Sequence, residues 1–259
     1  MLRIANLAYC KGTNEFVVCA SSYQPWLDRK YDDDNSKHPY IFHRLNPNWA
    51  TSGKFWNYQA RCSQLLREGR PVVDLCIYLG EDLPLVPEGY NFDVCTYDAL
   101  MHRFSVASQD TAQGRLAVSG GMRYKALVIQ DRTFVSAEAQ RKIEQLERGG
   151  VPVIWCNRGE TVAEGLRRHG IGPDLALRSA DKPDDKVCFY HRQADGADIY
   201  FVYNHSSNDY DAPVTLRTKF GTAEIWNPYT VERKKASMTA GKTVQLHLEP
   251  YQSAFIVAR

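Results

Sequence analysis

Apolar positions change their spacing twice along this chain, dividing it into three stretches. In the first, up to residue 69, a short helix is predicted over 4–9, a turn at Lys11-Gly12 and a strand over 15–20. A second helix is predicted over 55–68. Its apolar residues Phe55, Tyr58, Cys62, Leu65 and Leu66 fall at i, i+3, i+7, i+10 and i+11, one face at helical spacing. Between strand and helix runs a polar loop rich in aromatics, with Tyr23, Trp26, Tyr31, Tyr40, His43 and Trp49. Loops longer than about 12–15 residues are as a rule functional or disordered. The aromatics and prolines of this one argue for order against another surface.

In the second stretch, 70–180, strands alternate with helices. Residues 71–79 and 124–129 read as continuous apolar runs of the buried parallel kind, and 151–155 as a third strand. A helix is predicted over 97–104. Ser136 is placed to N-cap another, whose apolar face is Ala139, Ile143 and Leu146 and which stops at Gly149-Gly150. Thr161 and Glu164 have capping-box spacing and open a further helix that ends near Gly170. This alternation predicts a flavodoxin-like parallel sheet covered on both faces.

The third stretch, 181–259, turns to closely spaced strands, predicted over 187–192, 198–204, 212–217, 223–226, 244–248 and 253–257. Val244, Leu246 and Leu248 alternate with polar residues, the period of a half-buried antiparallel strand. A small antiparallel β-sandwich is expected. The fold class is thus α/β plus β, in three units: 1–69, 70–180 and 181–259.

Composition adds little to this. The 259 residues are 44% hydrophobic and 24% charged, with a net charge of +2. Those values suit a globular chain, and the interspersed charges provide no basic stripe for nucleic acid or a membrane surface. No run reaches the 18 or so apolar residues of a membrane span. The first residues lack a signal peptide's apolar core, which leaves localisation open. They already read as helix with no cap before it, so the natural domain is expected to begin upstream of Met1. The seven cysteines include no CxxC pair and sit mostly in apolar runs, as buried reduced thiols do.

Catalytic signatures are sparse. After residue 79 comes Gly80-Glu81-Asp82 rather than a glycine-rich phosphate loop, and there is no P-loop or GxSxG elbow. Cys156 follows a strand but lacks the glycine flank and His-x-Glu of an amidotransferase nucleophile. Glycoside hydrolysis needs two carboxyl groups about 5–9.5 Å apart. Glu81-Asp82, at a parallel strand's carboxyl end, reads either as a site or as an interdomain corner. Asp32-Asp33-Asp34 reads as solvated surface or as oxygen ligands for calcium, without an EF-hand pattern. Tyr23, Gln24 and Trp26 combine aromatic faces with a planar amide, the groups that hold sugars. They read equally as an anchor beneath a neighbouring domain.

Several motifs, in order, resemble glycoside hydrolase family 106, the α-L-rhamnosidases. Gly12-Thr13-Asn14-Glu15-Phe16-Val17 leading to Tyr23-Gln24-Pro25-Trp26 is similar to that family's last barrel strand with its Gln-Pro-Trp motif. The likeness continues through Phe55-Trp56-Asn57-Tyr58, Val73-Asp74-Leu75-Cys76, Gly89-Tyr90-Asn91-Phe92-Asp93, His191-Arg192, Ala197-Asp198-Ile199-Tyr200 and Leu248-Glu249-Pro250-Tyr251. The resemblance implies a (β/α)8 barrel, here reduced to a remnant in 1–69, followed by a flavodoxin-like domain and β-sandwiches. It implies inverting hydrolysis of terminal α-L-rhamnosides by a general acid and base, with calcium at the sugar. Active sites of barrels lie at the strands' carboxyl ends, so Tyr23, Gln24 and Trp26 would sit at the substrate rim.

Three departures accompany the resemblance. The family's catalytic glutamates belong to earlier barrel strands, upstream of Met1. Ser22-Tyr23 stands where a His often precedes Gln-Pro-Trp. The β-region stops at Arg259. A chain of this kind is expected to be inactive alone. Its expected partners are a rhamnose-containing glycan and either the missing N-terminal catalytic part or a second copy of itself; the alternative is a non-catalytic carbohydrate-binding or assembly module.

Overall fold

The computed structural model describes residues 1–18, 28, 48–78, 86–108, 115–130, 134–177 and 187–259. Helix α1 (Leu2–Cys10) buries Ala5, Asn6, Tyr9 and Cys10, a single stripe at helical spacing. The expected strand over 15–20 is absent from its described part: residues 14–18 run exposed, with no ladder partner among the described residues. Phe16 instead packs edge-on against Tyr9, ring centroids 5.2 Å apart. A 3₁₀ turn (Trp49–Thr51) leads into α2 (Gly53–Leu66), which buries Tyr58, Cys62 and Leu66 as the apolar spacing predicts. Gln59 is buried beside them.

The end of α2 is held by a residue far along the chain. Arg192 donates from Nε to the Glu68 carbonyl at 2.8 Å, and from one Nη to those of Gly69 (2.8 Å) and Arg67 (3.3 Å). These are C-terminal carbonyls that the helix itself leaves unpaired.

The run 71–79, expected as one buried strand, is two strands in different sheets. Strand β1 (Arg70–Val72) pairs antiparallel with β10 (Val187–Ala194), while β2 (Leu75–Tyr78) pairs in parallel with β3 (Phe92–Cys95). The break falls at Asp74, a carboxylate whose partners lie off the ladder.

Beyond β3 come α3 (Tyr97–Arg103), a small antiparallel sheet of β4 (Phe104–Val106), β5 (Leu116–Val118) and β6 (Arg123–Tyr124), then β7 (Ala126–Ile129), α4 (Ala137–Arg148), β8 (Val153–Trp155) and α5 (Val162–Arg168). The parallel sheet has the order β3-β2-β7-β8. One face packs Leu75, Ile77, Val128 and Ile154 against Val162 and Leu166 of α5. The other turns Leu127, Ile129 and Val153 toward Ala139, Ile143 and Leu146 of α4. Burial on both faces explains the unbroken apolar runs. The caps are as spaced in the sequence: Ser136 Oγ accepts from the Ala139 N–H, and Thr161 and Glu164 form a full capping box.

The chain ends in β9 (Leu175–Leu177), β10, β11 (Ala197–Asn204), β12 (Tyr210–Leu216), β13 (Ala223–Trp226), β14 (Arg233–Ala236), β15 (Thr243–Leu248) and β16 (Ser253–Ala258). A six-stranded antiparallel sheet, β1-β10-β11-β16-β13-β14, faces a three-stranded one, β15-β12-β9. Their shared core holds Phe189, Tyr200, Val202, Val214, Leu246 and Ile256. All eight residues of β11 are buried, because the sheet's opposite face packs against α1 and α2, with Tyr9 edge-on to Phe201. Each such fully buried apolar side chain contributes about 1.5–3 kcal/mol.

Gly69 joins α2 to β1 at φ +55°, and a Cβ there would stand 2.0 Å from the Gln193 carbonyl oxygen. Gly69→Ala is therefore expected to cost about 1–3 kcal/mol or more. Urea unfolding would show it as a lowered midpoint; an unchanged midpoint would contradict this packing.

Candidate functional site

Tyr23, Gln24 and Trp26 lie outside the described residues, as do Asp32-Asp33-Asp34 and Glu81-Asp82. The described chain on either side of the aromatic segment converges on one cleft. It has a volume of about 610 Å³, and its lining includes Ile4, Phe16, Val18, Phe55, Trp56 and Gln59. Its floor is the contact between α1 and α2. The Tyr9 hydroxyl donates to Gln59 Oε1, and the Tyr58 hydroxyl donates to Asn6 Oδ1 at 2.5 Å while lying 2.7 Å from Ser253 Oγ. Burial pushes the Tyr9 phenol up to about 12, so it stays a donor at any physiological pH.

The Gln59 side-chain nitrogen is buried with no hydrogen-bond partner among the described residues, and so is that of Asn6. Buried donors are rarely left unpaired. Acid–base capacity is another matter. Glu15 lines the cleft but is exposed and paired with Arg67 at 3.2 Å, and no second carboxyl group joins it among the described lining residues. The described residues also contain no group of three or more His, Cys, Asp or Glu side chains placed to hold a metal. The Asp32-Asp33-Asp34 run, the candidate calcium ligands, lies outside the described residues.

The strongest electrostatic feature lies elsewhere, where the parallel sheet meets the β-rich region. Arg217 donates to both oxygens of Asp74, at 2.7 and 2.9 Å, and its Nη2 lies 2.9 Å from Asp174. Lys125 Nζ is 3.5 Å from Asp74. His191 places Nδ1 3.0 Å from Asp174 and Nε2 3.4 Å from Asp198, and its ring stacks on Tyr200 at 3.9 Å. Asp74, Asp174, His191 and Asp198 are each at most 2% exposed. Its carboxylates and imidazole are buried while the Arg217 side chain stays 30% exposed, and the network joins separate elements of the fold. The sequence carries traces of it: a lone Asp inside the apolar run 71–79 and a His-Arg pair inside a strand.

Burial alone would lower the His191 pKa, but the Asp174 and Asp198 carboxylates outweigh it and raise it above the ordinary value. A raised folded-state pKa stabilises fully below the unfolded value of about 6.5 and is lost as pH climbs through the folded value. The pKa of Asp198, depressed despite burial by the His191 charge and by the hydrogen bonds that it accepts from Thr218 and Gln193, acts oppositely and its contribution is lost only in acid. Wild-type stability is thus expected to decline as pH rises above about 6.5, and His191→Asn to flatten that decline. Parallel slopes in urea unfolding across the same pH range would refute it.

The family model for glycoside hydrolase family 106, described as alpha-L-rhamnosidase, matches residues 1–157 and 155–240. A protein of Formosa agariphila named "Putative beta-glucuronidase" is 25% identical over 299 residues, covering 98% of this chain and 25% of that protein. The structure of a rhamnosidase from Novosphingobium sp. PP1Y superposes with a TM-score of 0.84 at 23% identity, over 100% of this chain and 29% of that one. The chain thus spans between a quarter and a third of the length of these relatives. With the family model matching most of its residues, the chain belongs to glycoside hydrolase family 106, the alpha-L-rhamnosidase family.

Proposed function

We propose that this chain is the C-terminal portion of an α-L-rhamnosidase-like glycoside hydrolase acting on rhamnosylated glycans. It holds the sugar rim without the acid/base pair. The observation that carries this reading is a family match along most of the chain, in a sequence with 25% of the length of its Formosa relative. Tyr23, Gln24 and Trp26 are assigned to sugar binding by their resemblance to the family's Gln-Pro-Trp motif. Two carboxyl groups about 5–9.5 Å apart are needed for cleavage, and we assign them to barrel strands upstream of Met1.

In this reading residues 1–69 are the remnant of a (β/α)8 barrel. Residues 70–180 form a flavodoxin-like domain, supported by the parallel order β3-β2-β7-β8, which is 2-1-3-4 in chain order. Residues 181–259 form a β-sandwich, supported by two facing antiparallel sheets with one core, to which β1 and β9 also contribute strands. The exposed apolar cleft over α1 and α2 favours a second role in assembly, with either the N-terminal catalytic part or another copy of the chain.

The isolated chain is expected to release no aryl alcohol from an aryl α-L-rhamnoside above the uncatalysed rate. Cleavage that persists in Gln24→Ala and Trp26→Ala variants would overturn the proposal that the catalytic half lies elsewhere. Cleavage of an aryl β-glucuronide in its place would reassign the sugar.

A further inference from the structure

A second cleft adjoins the first along α2, where that helix faces the hairpin of β13 and β14. It has a volume of about 350 Å³, and its lining includes Arg61, Leu65, Trp226, Val231, Arg233 and Phe255. Small-molecule sites run from roughly 300 to 1,000 Å³, so this one is of a size for a single sugar ring. Two guanidinium groups border it with no carboxylate partner among the described residues. Half-buried Arg61 donates from Nη1 to the carbonyls of Pro228 and Tyr229, at 3.0 and 3.4 Å, which leaves its Nε and Nη2 donors without a described partner. Arg233 sets its guanidinium carbon 3.9 Å from the ring centroid of Trp226, its cross-strand neighbour. The nearby carboxylates are engaged. Glu232, also in the lining, pairs with Lys234 at 3.1 Å, and Glu224 accepts the Trp226 indole N–H at 2.8 Å.

The turn that borders the cleft is strained. Val231 has φ +70°, a left-handed conformation that β-branched residues rarely adopt. Asn227 imposes it: its Oδ1 accepts from the backbone N–H groups of Tyr229 and Thr230, at 2.9 and 3.1 Å, and its carbonyl accepts from that of Val231 at 2.9 Å. Val231 nevertheless stays 55% exposed, so burial of its own side chain does not offset the strain. Strained residues held by their surroundings cluster at sites that clamp ligands.

We propose that this cleft is a binding subsite for a carboxylate-bearing sugar, a uronate unit of a glycan. The planar fork of a guanidinium matches the two oxygens of a carboxylate. Stacking on Trp226 holds Arg233 in place before the ligand arrives and leaves its N–H donors for the oxyanion, so the indole serves as a platform for the cation. Leu65, Val231 and Phe255 supply the apolar surface that covers the C–H side of a pyranose ring. The inference stands on these residues alone and is independent of the assignment of Tyr23, Gln24 and Trp26 to rhamnose.

The test is a ligand-observed NMR titration of the chain with D-galacturonate and with D-galactose, which has an alcohol where the former has its carboxylate. D-galacturonate is expected to bind about tenfold more tightly or better, the worth of one hydrogen-bonded charge. Arg233→Gln, at an exposed position, and Arg61→Gln are each expected to erase that preference. Equal binding of the two sugars, or a preference that survives both substitutions, would overturn the proposal. Tighter binding of D-galactose 6-sulfate than of D-galacturonate would also overturn it, since the anion would then be a sulfate. The comparison of sugars on the unaltered chain decides the matter even if a variant fails to fold. Neither sugar contains rhamnose, so a failure here leaves the rhamnosidase reading standing, and the reverse holds too.

Discussion

Arg217 sits between two carboxylates from different parts of the chain, Asp74 and Asp174, and the relation of the parallel sheet to the β-rich region depends on that bridge. Buried charges are costly unless paired with good geometry, and each of these carboxylates has more than one partner. Asp74 also meets Lys125, which precedes a parallel strand, and Asp174 also meets His191 of the six-stranded sheet. An uncompensated member would leave a charge in a closed interior, so the arrangement specifies how the layers meet as well as holding them. The same need explains why the run 71–79 breaks at Asp74. The carboxylate turns out of the ladder to reach Arg217, and β1 and β2 enter different sheets on either side.

A second fastening joins the N-terminal helices to the antiparallel sheet. Arg192 holds the carbonyl end of α2, Tyr58 bonds to Asn6 of α1 and lies 2.7 Å from Ser253 of β16, and Tyr9 packs on Phe201. The residues flanking the aromatic segment are thereby carried on a supported platform, as a binding constellation requires. What the platform lacks, among its described residues, is a pair of carboxyl groups.

Elements ruled by local chemistry were legible in the sequence. The capping box at Thr161 and Glu164, the Ser136 cap, the amphipathic face of α2 and the alternation of Val244, Leu246 and Leu248 follow from spacing alone. Less legible were elements formed by distant partners. Strand β14, Arg-Lys-Lys-Ala, has no apolar alternation and exists because β13 offers its edge. Strand β9 is three residues held by β12. Nothing in the sequence near Gln59 marks it as buried, because its partner, the Tyr9 hydroxyl, is 50 residues away. The charge network left only single odd residues in apolar runs, because its members, Asp74, Lys125, Asp174, His191, Asp198 and Arg217, come together from six separate segments. The family was legible from ordered motifs, but Tyr23, Gln24 and Trp26 stand on the resemblance and on the chemistry of their side chains.

The central functional claim is that the chain holds a sugar through those three residues yet does not cleave it. Calorimetric titration of L-rhamnose and rhamnosylated oligosaccharides into the chain, and into Gln24→Ala and Trp26→Ala variants of unchanged Tm, tests this most directly. The account predicts saturable heat for the unaltered chain that either substitution abolishes or sharply weakens. Absence of heat with every ligand, or identical binding by both variants, would contradict it.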